Sequence, residues 1–100
     1  MELVRLRLVT IIAEAVLERR LLPALAELGA RGYTVAEVDG EGSRGVRAGD
    51  WEGPNLRIET VVSDPVAEAI LAHLADHYFE NYAVIAFVSD VEVVRGNKYV

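Results

Sequence analysis

Apolar residues in this chain change their spacing repeatedly, and that switching confines it to a fold mixing strands with helices. Leu3 to Ile12, LVRLRLVTII, sets Arg5 and Arg7 alternately against Val4, Leu6 and Leu8, the period of two expected of a strand with one wetter face. From about Glu18 to Leu28 the period lengthens, and Leu21, Leu22, Leu25 and Leu28 form one helical stripe. That helix requires Pro23 in its first turn, where a missing N–H costs little, and Gly29 supplies a stop. Strand character returns from Gly32 to Val38 and again from Leu56 to Val62, LRIETVV. Ser63-Asp64-Pro65 then reads as a helix start, with Asp64 accepting from the first free N–H groups and Pro65 pre-set for the first helical position. Val66, Ile70, Leu74 and Tyr78 line one face of this second helix, and Asn81 ends it. Tyr82 to Val88 is apolar on both alternating faces, as in a central strand, and Val91 to Val94 reads as a short extra strand.

The order is therefore βαββαβ with a small C-terminal addition, in one domain spanning residues 1–100. It predicts an α+β, ferredoxin-like sandwich, an antiparallel sheet with both helices on one face. In the usual strand order the second sheet face would carry Arg5, Arg7, Arg57 and Glu59 beside Val9, Ile11 and Val61. A face so mixed suits a subunit interface. A hydrophobic fraction of 52% in 100 residues points the same way, because one layer of helices leaves apolar surface to cover.

Charge and composition exclude several classes of function. The net charge of −6 and a pI near 4.8 set most of the surface against a nucleic-acid backbone. With no cysteine there is no disulfide, thiolate nucleophile or thiolate metal site. The N-terminus lacks the pattern of a secretory signal, and no apolar run approaches the roughly 18 residues of a membrane span, so a cytoplasmic protein is expected.

The chemistry is concentrated in Asp39 to Asn55, DGEGSRGVRAGDWEGPN, which holds five of the eight glycines. Glycines let backbone N–H groups turn inward, and Ser43, Arg44 and Arg47 add donors that match phosphate or carboxylate oxygens. The same composition also suits a plain surface connection. Trp51 has the apolar area either to dock on a partner or to fold back on its own subunit. His73 and His77 have the spacing of two metal ligands on one helix, but they flank the apolar face without another obvious ligand nearby. Arg95 and Lys98 make a basic end to an acidic chain, either reaching a neighbour's phosphate or forming a solvated tail. No Ser–His–acid constellation stands out, and a non-enzymatic role is expected.

LVTIIAE at Leu8 to Glu14, LGARGYTVAEVDGEGSRGVR at Leu28 to Arg47, PNLRIETVV at Pro54 to Val62 and HYFENYAVIAFVSDVEVV at His77 to Val94 resemble the PII-like signalling proteins. The likeness is to the branch linked to bicarbonate uptake and carboxysomes, SbtB and carboxysome-associated PII. It implies a trimer with an adenine nucleotide (AMP, ADP, ATP or cyclic AMP) in each cleft between neighbours, held as a regulatory ligand and not as a tightly bound cofactor. Bicarbonate is implied as a second ligand, and a bicarbonate transporter or carboxysome component as the protein partner. The segment from about residue 40 to 55 would be the T-loop. Gly40, Gly42, Ser43, Arg44 and Arg47 fall on the family's loop-base motif around ribose and phosphates. Glu59 and Val61 fall near the adenine, and Phe87, Val88 and Ser89 near the wall of the same cleft. The likeness stops short of nitrogen-sensing PII proteins. Ser89 to Val94 offers no glycine or lysine for a phosphate loop, and Gly40 to Asn55 holds no tyrosine to modify, so neither uridylylation nor strong triphosphate binding is implied. The cysteine-bearing extension of some SbtB proteins has no counterpart before Val100. A small ferredoxin-like enzyme and a trimeric metal-tolerance-type protein are the alternative readings.

Overall fold

The computed structural model describes residues 1–40 and 54–100. Four strands, β1 (Val4–Glu14), β2 (Thr34–Val38), β3 (Asn55–Val62) and β4 (Ile85–Val93), form one antiparallel sheet in the order β2-β3-β1-β4. Helices α1 (Glu18–Leu28) and α2 (Asp64–His77) cover one side. This is the ferredoxin-like arrangement expected of the spacing.

β1 is long because it is central, paired along most of its length with β3 on one side and β4 on the other. Its odd-numbered residues Val9, Ile11 and Ala13 are wholly buried beneath the helices, against Ile58 and Val62 of β3, Leu21 and Leu25 of α1, and Ile70 and Leu74 of α2. Residues directly opposite in an antiparallel pair share a face. The pairs Arg7↔Val62, Val9↔Thr60 and Ile11↔Ile58 therefore set Arg7, Val9 and Ile11 on the helix side, as alternation does Arg5, and not on the second face. Arg7 is tolerated there because it lies at the margin of the layer. Its Nη1 donates to Asp64 Oδ1 at 3.2 Å, and its Nε faces Asp90 Oδ1 at 3.1 Å without the alignment of a hydrogen bond.

The second face is built from the other parity. Leu8, Thr10 and Ile12 of β1 stand beside Val61, Glu59 and Arg57 of β3 and beside Ser89, Phe87 and Ile85 of β4. Ile85 and Phe87 are more than half exposed in the single chain, 58% and 52%. β4 is thus an edge strand and not a central one. It also runs unbroken to Val93, so no separate short strand follows it. Apolar character on both of its faces reflects helices on one side and an uncovered sheet surface on the other.

Pro23 is the sixth residue of α1, past the first turn. A short 3-10 turn, Ala15–Leu17, leads into the helix, which begins early enough that the proline gives up one interior hydrogen bond. α2 starts after Ser63, so Asp64 lies inside its first turn and turns to Arg7 instead of capping. It ends at His77, four residues before Asn81, because Tyr78 leaves helical geometry and buries its ring. Gly29, with φ +120°, closes α1 as expected; a Cβ there would come within 2.9 Å of Val66 on α2.

Candidate functional site

Along the β2–β3 side of the second face lies an open cleft of about 620 Å³. Its floor is sheet: Leu8, Glu59 and Val61, the last two being residues assigned to an adenine site from sequence. One wall comes from the connection after α1, Arg31 to Thr34, and the opposite wall from the chain beyond β4, with Arg95, Lys98 and Tyr99.

Each wall has a local cause. Thr60 donates its hydroxyl to the Gly32 carbonyl at 2.6 Å, anchoring the Arg31–Tyr33 stretch to β3. Beyond Val93 the chain reverses at Arg95, the one non-glycine residue with positive φ among the described residues (φ 58°, ψ 49°). A 3-10 turn over Gly96–Lys98 follows, with Lys98 N–H donating to the Arg95 carbonyl at 2.9 Å and Tyr99 N–H to that of Gly96 at 3.1 Å. Gly96 is buried so tightly on β1 that an added Cβ would stand 2.9 Å from Val4. The Arg31 guanidinium donates to the Val100 carbonyl, tying one wall to the other. Arg95 and Lys98, both exposed, are thereby brought to the rim of the cleft. Arg31, Arg95 and Lys98 against Glu59 give an excess of positive charge in a chain of net charge −6, an arrangement that attracts anions.

The other assigned residues are distributed less compactly. Phe87 and Ser89 share the open face with Glu59 and Val61 but stand on β4, beyond β1, while Val88 lies opposite Val9 and points to the helices. Gly40 is exposed just after β2, and a Cβ added there would meet nothing within 4 Å. Gly42, Ser43, Arg44 and Arg47, with Trp51, lie outside the described residues. On either side of these, Val38 pairs with Asn55 and Ala15 N–H donates to the Pro54 carbonyl at 3.1 Å. Arg31, Tyr33, Thr34 and Tyr99 were not singled out by sequence. The available signal was GARGYT, which sets an arginine two residues past the helix stop at Gly29.

The two histidines adjoin, with ring centroids 4.5 Å apart. Burial, and then the neighbouring His77, hold the pKa of His73 below its ordinary value. No group of three or more metal-ligating side chains occurs among the described residues, and among these no helix is long and apolar enough to cross a membrane.

The family described as Nitrogen regulatory protein P-II matches residues 6–98. The chain belongs to it. PII proteins are trimeric signalling proteins and generally not enzymes. A PII-like signalling protein from Thermus thermophilus is 58% identical over the whole of both chains, with a TM-score of 0.87. CPII from Thiomonas intermedia, in a structure bound to ADP and bicarbonate, is 26% identical over 99% of this chain and 98% of its own, with a TM-score of 0.85. A second CPII structure, bound to ADP, AMP and acetate, aligns at 22% identity over 99% of this chain and 98% of its own, with a TM-score of 0.84, a likeness of fold.

Proposed function

We propose that this PII protein is a homotrimeric regulator that binds adenine nucleotides in clefts between subunits, takes bicarbonate as a second ligand, and reports their levels through the connection between β2 and β3. The observation that carries this reading is the cationic cleft: Arg31, Arg95 and Lys98 gathered over Glu59 and Val61 in an acidic chain. A relative that binds ADP and bicarbonate supports the choice of ligands. The exposed Ile85 and Phe87 support a subunit contact on the second face, which would bring a neighbour's residues to a cleft that is open in one chain. Gly40, Gly42, Ser43, Arg44 and Arg47 are the loop-base donors in this reading, and Phe87 and Ser89, which share the open face, belong to the wall, while Val88 turns to the helices. The regulated process is inorganic-carbon metabolism, with a bicarbonate transporter or carboxysome component as the partner and the cytoplasm as the compartment.

Titration calorimetry with AMP, ADP, ATP and cyclic AMP, each with and without bicarbonate, tests the proposal. Saturable binding of at least one nucleotide, with affinity altered by bicarbonate, is expected. Absence of heat and of thermal stabilisation with all four would overturn it, because a ligand of the folded state must raise apparent stability.

A further inference from the structure

We propose that His73 and His77 form a two-point chelate for a divalent transition-metal ion of the copper, nickel and zinc class, with water completing the coordination. Residues four apart on α2 project from the same side of the helix, and here the ring centroids are 4.5 Å apart with the planes inclined by 47°. With metal–nitrogen bonds of about 2.0–2.1 Å and each nitrogen roughly 1.1 Å from its ring centre, two ligands at a right angle place their ring centres about 4.5 Å apart. The observed centroid separation matches that of such a chelate.

The surroundings favour this use of the pair. The His73 ring is half-buried and inclined on the buried Tyr78 ring at a centroid distance of 5.9 Å, so part of its rotamer freedom is already lost before a metal arrives. The charged groups acting on the His73 ring are His77 and Asp76 from α2 and Arg20 and Glu27 from α1. Arg20 lies over the Tyr78 and Tyr82 rings, 5.0 and 5.8 Å from their centroids, and its repulsion of a cation is opposed by the two carboxylates. Two imidazoles and water select copper over nickel and zinc by the usual order of stability, and discriminate against magnesium and calcium, which require oxygen ligands. This proposal is independent of the nucleotide cleft.

The test is titration calorimetry of the chain with copper(II), nickel(II), zinc(II) and magnesium chlorides in a non-chelating buffer near pH 7.5, with His73→Gln, His77→Gln and the double variant beside the parent. One ion per chain is expected, copper tightest and magnesium absent. Each single variant should bind copper and nickel at least about ten-fold more weakly, and the double variant no more tightly than either single. Circular dichroism melts establish that the variants remain folded. A parent that binds none of the three transition ions, or a double variant that binds them as the parent does, overturns the assignment; the second outcome places the ions elsewhere, as at the terminal amine.

Discussion

Two residues decide how the cationic wall of the cleft is held, and the first has no side-chain chemistry to offer. Gly96 lies against Val4, and Gly96→Ala must displace either the strand or the turn. Overpacking of this kind costs about 1–3 kcal/mol, a loss to be read from urea denaturation midpoints. Because the turn carries Arg95 and Lys98, nucleotide affinity measured on the same variant should fall as well. Arg31 acts more directly. A charge-assisted hydrogen bond contributes about 1.5–3 kcal/mol, so Arg31→Ala should weaken ADP binding by roughly ten-fold or more. Calorimetry yielding the parent affinity would remove Arg31 from the anion site. The sequence displayed Arg95 and Lys98 as a basic end but left their destination open, since the left-handed residue of the reversal is Arg95 itself and not the glycine that follows it. That Glu59 and Val61 share the second sheet face was legible because strand alternation fixes their parity once β3 is recognised, whereas their link to an adenine came from the family resemblance.

At the scale of elements, both helices, the succession of strands and helices along the chain and the single helical layer were legible from apolar spacing. The parity of β1 was not: Val4, Leu6 and Leu8 alternate with Arg5 and Arg7 and suggest that the arginines face away from the core, yet Val9, Ile11 and Ala13 continue the arginine parity into it. Spacing alone cannot reveal that Arg7 escapes at the margin through Asp64 and Asp90. The same blindness made β4 look central, since an uncovered apolar face reads like a buried one. α2 carries a titration that the fold feels. Its His73 binds its proton less readily folded than unfolded, so the unfolded chain takes up more protons and stability rises with pH. This contribution is complete above the unfolded value of 6.5 and is lost as pH falls through the lower folded value. Denaturation midpoints of the parent should therefore drop on acidification more steeply than those of His73→Gln, and parallel curves would refute the coupling. Packing on the same helix is a separate matter: Leu74, wholly buried, should cost about 2–5 kcal/mol as Leu74→Ala.

For the molecule as a whole, the uncovered sheet face is the feature that demands a partner. Light scattering at micromolar concentration should return the mass of a trimer, and Phe87→Glu, which sets a charge on the exposed apolar row, should lower that mass while leaving the far-ultraviolet circular dichroism of the fold unchanged. A parent of monomer mass would dissolve the intersubunit site.

The pairing of Val38 with Asn55 at the ends of the β2–β3 connection bears also on how freely such a protein can be re-equipped. Strand pairing holds those two residues side by side, so the sheet serves as a socket. For a flexible insert, each doubling of length adds only about 0.6 kcal/mol of closure entropy. Peptides of quite different length and composition could be exchanged between the same two strands while the scaffold stayed constant. A recognition epitope or fluorophore grafted there would inherit whatever ligand response the scaffold possesses.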